Sequence, residues 1–328
     1  MKNLILKPSS RKIMISKSIK RWIALSIFTF VNIVYAQQDP QFTQYMYNTL
    51  SYNPAYAGQR EALSATALYR TQWVGLDGAP ETTTISIHSP LAFESKIGLG
   101  LNIIHDEIGP TKETTFDLDF SYTIQTSAFN RLSFGLKVGG NLLDVDFSKL
   151  NLQDPNDPSF QSNIDNEFNP NFGVGVYYSS DNWYVGLSAP NLVETDHFDR
   201  SNNSNQTSSR TLLARERIHY FLMGGYVFDL NRNFKFKPAT IFKAVEGAPL
   251  QWDASANFMY RETVTFGVAY RWTAALSGLV GFQINDNIFL GYAYDGDTTR
   301  LGEFNSGSHE IFLRFELSKA RVRSPRFF

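Results

Sequence analysis

Phe116-Asp117-Leu118-Asp119-Phe120-Ser121-Tyr122-Thr123-Ile124 alternates without a break. In an extended chain Phe116, Leu118, Phe120, Tyr122 and Ile124 face one way, and Asp117, Asp119, Ser121 and Thr123 the other. Such a ribbon needs a different solvent on each side. The pattern returns with Leu132, Phe134, Leu136 and Val138 against Ser133, Gly135, Lys137 and Gly139. Val264, Phe266, Val268, Tyr270 and Trp272 likewise oppose Thr265, Gly267, Ala269 and Arg271. Near the end, Ile311, Leu313, Phe315 and Leu317 oppose Glu310, Phe312, Arg314 and Glu316. In all, fourteen segments between residues 61 and 318 carry strand periodicity.

Either of two architectures accommodates this. A soluble sandwich turns the apolar face inward, whereas a wide barrel turns it to lipid and lines a lumen with the polar face. The connections favour the barrel. Tight turns at 126–129, 179–182, 230–233, 261–263 and 285–287 fall after every second strand. The intervening connections, 71–80, 106–112, 146–167, 191–214 and 296–307, are mostly long. Short turns at one rim and long loops at the other are the asymmetry of outer-membrane barrels. Aromatics near strand ends, among them Tyr122, Tyr177, Tyr178, Trp183, Tyr184, Trp252, Tyr260 and Trp272, suit interfacial girdles.

Composition agrees. Aromatics make up 15% of the chain and charged residues 19%, with a mean hydropathy of −0.24. Beyond Ala36 no apolar run approaches the ~20 residues of a spanning helix. Residues 1–36 contain basic residues but no Asp or Glu, and an apolar run from Trp22 to Tyr35 ends in Val34-Tyr35-Ala36. This reads as a secretory signal peptide cleaved before Gln37, and Met14 is a second candidate start. After its removal the acidic residues outnumber the basic ones, which excludes nucleic acid as a partner. Cysteine is absent from a chain addressed to an oxidising compartment, so disulfides do not stabilise it.

The expected fold is therefore all-β, a transmembrane outer-membrane β-barrel of about 14 antiparallel strands. Its divisions are a signal peptide at 1–36, a periplasmic helical segment or plug at 37–60, the barrel at 61–318 and a basic tail at 319–328. Phe42, Tyr45, Met46, Thr49 and Leu50 share one helical face, and Asn53-Pro54 ends the run. One short helix over 43–51 is expected, at the periplasmic side, to brace or fill the barrel. The lumen is expected to carry the charges Asp117, Asp119, Lys137, Arg271, Glu310, Arg314 and Glu316.

Catalytic chemistry finds little support. The five histidines are scattered, and only His105-Asp106-Glu107 sets carboxylates beside one. Gly98-Leu99-Gly100 and Gly173-Val174-Gly175 lie inside alternating strands with no helix following, so they read as glycines that relieve curvature or free lumen space. The loop Asn151 to Phe160, with Asp165 and Glu167, offers oxygen ligands for calcium, but without EF-hand spacing it reads as an acidic solvated loop. Asp199 to Arg210 is a polar, Ser/Asn-rich loop. No enzymatic activity, cofactor or metal is expected.

Three linked motifs carry a family resemblance. Gln38-Asp39-Pro40-Gln41-Phe42-Thr43-Gln44-Tyr45-Met46, then Asn53-Pro54-Ala55-Tyr56-Ala57-Gly58, then Tyr69-Arg70-Thr71-Gln72-Trp73-Val74-Gly75-Leu76-Asp77-Gly78-Ala79-Pro80, resemble the start of the PorP/SprF family. Members are outer-membrane proteins associated with the type IX secretion system of Bacteroidetes. Asp157 to Phe160, Asn169 to Gly175 and Tyr184 to Pro190 match the same pattern. The resemblance implies a non-enzymatic component that helps secrete and anchor a particular substrate, such as a gliding adhesin. Its partners would be a secreted protein with a C-terminal sorting domain, periplasmic secretion or peptidoglycan-binding components, and outer-membrane lipid. The motif residues Gln41, Phe42, Tyr45, Met46, Asn53, Pro54, Tyr56, Gly58, Arg70, Trp73, Gly75, Asp77, Gly78 and Pro80 are its candidate partner-binding or structural set. Long loops would be extracellular and both termini periplasmic. The alternative function is a porin or hydrophobic-solute transporter.

Overall fold

The computed structural model describes residues 40–92, 95–150, 163–194, 196–197, 214–215 and 217–317. The signal segment, the 151–160 loop, the 199–210 loop and the basic tail lie outside the described residues.

Fourteen antiparallel strands close into one barrel. They are β1 (Leu63–Thr71), β2 (Glu81–Pro90), β3 (Ile97–Ile108), β4 (Thr111–Gln125), β5 (Arg131–Val145), β6 (Ile164–Ser179) and β7 (Trp183–Ala189), followed by β8 (His219–Tyr226), β9 (Phe234–Val245), β10 (Gln251–Tyr260), β11 (Val264–Arg271), β12 (Ala275–Asn285), β13 (Ile288–Asp297) and β14 (Ser308–Leu317). Each pairs with the next in sequence. β14 then returns to β1, with Leu63 opposite Leu317 and Thr71 opposite His309. Closure satisfies the ladder bonds that an open edge would expose to hydrocarbon.

The orientation of the faces is decided by exposure. Leu118 is 64% exposed, whereas its neighbours Asp117 and Asp119 are each 2% exposed. This is the inverse of a soluble sandwich and holds around the sheet: Leu136, Val268, Leu276 and Ile311 point out, while Lys137, Ser277 and Glu310 point in. Aromatic ladders sit on the outer face near both rims of β9, β10 and β11. Phe242, Trp252 and Trp272 follow one another at 6.0 and 5.9 Å near one rim, and Phe236, Phe258 and Phe266 at 4.7 and 5.6 Å toward the other. Two aromatics expected in the girdle belong elsewhere. Tyr177 and Tyr184 point into the lumen and stack at 5.6 Å, because the odd residues of β6 and the even ones of β7 are the inward set.

The connections 72–80, 146–163, 190–218 and 298–307 share one rim, with the shorter 246–250 and 272–274. One expected loop is not a loop. Between β3 and β4 only Gly109 and Pro110 turn the chain, and Gly109 adopts φ +57°. The polar run Asp106-Glu107 looked like loop sequence, but Asp106 is strand, facing inward to accept a bond from the Thr82 hydroxyl at 2.5 Å.

No helix among the described residues is long and apolar enough to cross a membrane; the crossing is made by strands. A charge placed on the outer face at mid-strand should therefore cost about 2–4 kcal/mol. Leu118→Lys is expected to show that loss in urea unfolding from lipid vesicles, while a change at the girdle, Tyr122→Lys, costs less.

Candidate functional site in the barrel lumen

Pro40 to Arg60 lies inside the barrel. Phe42, Tyr45, Met46, Leu50, Ala55, Tyr56 and Ala57 are all at most 4% exposed, and their neighbours are inward-facing side chains of the strands. The segment starts near the long-connection rim, where Gln41 donates to Gln251, and reaches the opposite rim at Gly58 to Arg60 before entering β1. It fills the lumen instead of bracing the barrel from below.

The helix within it is short. Only Thr49–Tyr52 is α-helical, followed by a 3₁₀ turn at Pro54–Tyr56; Thr43 to Tyr47 forms turns. The shared apolar face is real, and the wall of the barrel supplies an acceptor for the first amides. Glu310 of β14 takes the N–H of Thr43 at 2.9 Å on one carboxylate oxygen and that of Gln44 at 2.8 Å on the other. These two amides would be free at the start of any helix, so Glu310 satisfies them without breaking it; the break falls at Asn48, whose φ −102° and ψ 40° are not helical.

Glu310 belongs to a cluster. Arg70 of β1 donates to Glu310 at 3.0 Å and to Asp295 of β13 at 2.7 Å, and Asp295 accepts from the Thr43 hydroxyl at 2.8 Å or less. All four groups are buried. Beside them Arg271 donates to Asp253 at 2.9 Å. At the other end Arg60 pairs with Glu316, which Arg314 also approaches at 3.6 Å.

Between these ends the fit is close. The Asn53 amide donates to the carbonyl of Val176 at 3.1 Å, and its oxygen caps Ala55 N–H at 3.0 Å. Ser188 and Ser121 donate to the carbonyls of Tyr52 and Ala57, each at 2.7 Å. Gly58, at φ +74°, donates to Nδ1 of His88 at 3.1 Å. Tyr56 packs edge-on to His88 and Tyr177. Tyr47 contacts Phe289 and Phe312 at 5.1 Å each. Lumen glycines make room for all this: a Cβ on Gly135 would stand 2.0 Å from Ala55 N, and one on Gly98 2.2 Å from Ala57 O.

The structure splits the sequence-derived site residues into two groups. Gln41, Phe42, Tyr45, Met46, Asn53, Pro54, Tyr56 and Gly58 are in the lumen segment, with Arg70 bonded to its start. The seven lumen charges all face inward, with Asp117 held by Lys137 at 2.8 Å. Trp73, Gly75, Asp77, Gly78 and Pro80 instead form the β1–β2 connection at the long rim. That connection binds its neighbours: Val74 N–H to Gly307 O, Ser306 N–H to Val74 O and Gly109 N–H to Gly78 O. Sequence reasoning missed Arg60, Lys237, Asp253 and Asp295. For Lys237 the signal was present, since Phe234 and Phe236 alternate with Lys235 and Lys237, and its amine lies 5.4 Å from the Tyr184 ring centre.

A closed barrel with a lipid-facing apolar surface and its own N-terminal segment in the lumen is a plugged β-barrel membrane protein. The family model for the type IX secretion system membrane protein PorP/SprF matches residues 34–315, and the chain belongs to that family. It is an outer-membrane barrel of type IX secretion. No curated protein sequence matches it significantly. Similar solved structures include the outer membrane protein Omp33 of Acinetobacter baumannii, 8% identical, covering 79% of this chain and 100% of that one at TM-score 0.47. The toluene transporter TbuX of Ralstonia pickettii is 7% identical, covering 80% of this chain and 91% of that one at TM-score 0.46.

Replacing Arg70 by Met leaves Glu310 buried without its cation and takes from Asp295 its bonded one, at a cost of about 3–5 kcal/mol. Unfolding of Arg70→Met in vesicles should show that loss. Gly135→Leu should release the segment, read as protease cleavage within residues 40–60 of a barrel that keeps its folded gel mobility; an uncleaved variant contradicts this placement.

Proposed function

We propose that this barrel helps secrete and anchor one partner protein at the cell surface, receiving that protein's C-terminal sorting domain at the mouth formed by the long connections. Membership of a type IX secretion family supports the setting. The observation that carries the reading is the filled lumen: Pro40 to Arg60 occupies the space a solute would cross, so the outer rim is left as the working surface. In this reading the long connections are extracellular, and the short turns with Arg60 and the start of β1 are periplasmic. There, secretion or peptidoglycan-binding components have access.

The Trp73 to Pro80 connection suits a docking platform. Its bonds to the β13–β14 and β3–β4 turns hold three connections in one arrangement, which lowers the ordering cost of binding. Solute transport is the second reading, favoured by the barrel itself and opposed by the segment within it.

Deleting the gene and comparing surface proteomes tests the proposal. Loss of one adhesin-like surface protein and its release into the medium is the expected result. An unchanged surface proteome together with failed uptake of a small solute would favour transport. Asp77→Lys with Trp73→Ala, in a barrel that still folds, should lower surface retention of the same partner at least severalfold.

A further inference from the structure

A cavity of about 280 Å³ remains between the lumen segment and the wall of β3, β4 and β5, near the long-connection rim. One side is aromatic. Phe42 and Tyr52 of the segment meet edge to face at 6.2 Å, and Tyr52 meets Phe221 of β8 in the same way at 5.1 Å. The opposite side carries three carboxylates, Asp106, Glu113 and Asp117, with the single amine of Lys137. Asp117 is only 2% exposed, and although Lys137 bonds one of its oxygens, the other has no hydrogen-bond partner. Asp119 stands next on that face and directly across the ladder from Lys137, and neither of its oxygens is bonded. One ammonium thus serves two buried carboxylates.

We infer that this chamber is a binding site for an organic cation, an alkylammonium or guanidinium group on a short apolar stem. Both walls select that chemistry. Ring faces attract cations through their quadrupoles, and a buried carboxylate oxygen without a donor gains most from a charged one. An anion would meet three carboxylates at close range in a poorly solvated space. Size narrows the ligand further. Pockets for drug-sized molecules run from about 300 to 1,000 Å³, so this one takes a group the size of one side chain and excludes an oligosaccharide. The cation has two sources, a free small amine or a basic side chain of an exported polypeptide entering from the rim.

Titration calorimetry of the full chain in nonionic micelles separates them, with agmatine as one probe and a blocked five-residue peptide carrying one central arginine as the other. Saturable binding of either supports the site. Agmatine alone assigns it to a small amine, and the peptide alone to a polypeptide. Asp117→Asn should weaken binding at least tenfold in a barrel of unchanged folded mobility. Should that variant not fold, Thr115→Lys at the cavity lining, which supplies the chamber with its own ammonium, should abolish binding instead. Saturation by neither probe, equal binding by the folded variants, or preferential binding of acetate overturns the inference.

Discussion

The contact on which this structure turns is a carboxylate holding two consecutive backbone amides. Glu310 projects inward from the last strand and takes the N–H groups of Thr43 and Gln44, while Arg70 from the first strand neutralises it together with Asp295. The charges are buried, so each is stable only with the others in place. Strands β1, β13 and β14, which include the seam where the barrel closes, are thereby tied to the segment that fills it. Remove the segment, and the inward faces that alternation produced would surround an empty polar space.

Much of this was legible in the sequence, and for a clear reason. A period of two in side-chain direction is a local property, so the faces of β4, β5, β11 and β14 could be read residue by residue. The choice between lipid and core on the apolar face followed from the connections. What failed was non-local. The helix expected over 43–51 shrinks to Thr49–Tyr52, its backbone broken at Asn48, and the amides of Thr43 and Gln44 bond a residue more than 260 positions away. Tyr177 and Tyr184 looked like girdle residues, but they fall on the inward faces of β6 and β7, where they stack on each other and Tyr177 meets Tyr56 of the segment edge-on. Asp295 ends a segment that reads as strand, but only the pairing with Arg70, 225 positions away, shows it to be a lumen charge.

The candidate site was half legible. The three motifs at the start of the mature chain appear as one unit in sequence, yet they divide between the lumen and the outer rim. Arg70 marks the join: its side chain grips the lumen segment, and three residues later Trp73 is in the rim connection. That placement gives the motif two jobs, keeping the lumen filled and fixing a connection at the mouth. Two of the strand glycines are explained by the first job. Gly98 and Gly135 are where the segment's backbone comes too close for any side chain.

Conductance of the purified full chain in a planar lipid bilayer tests the filled lumen most directly. With Pro40 to Arg60 seated between the strands, the account predicts no steady ionic current through a properly inserted barrel. A stable, ohmic, single-channel current from the unmodified chain would contradict it.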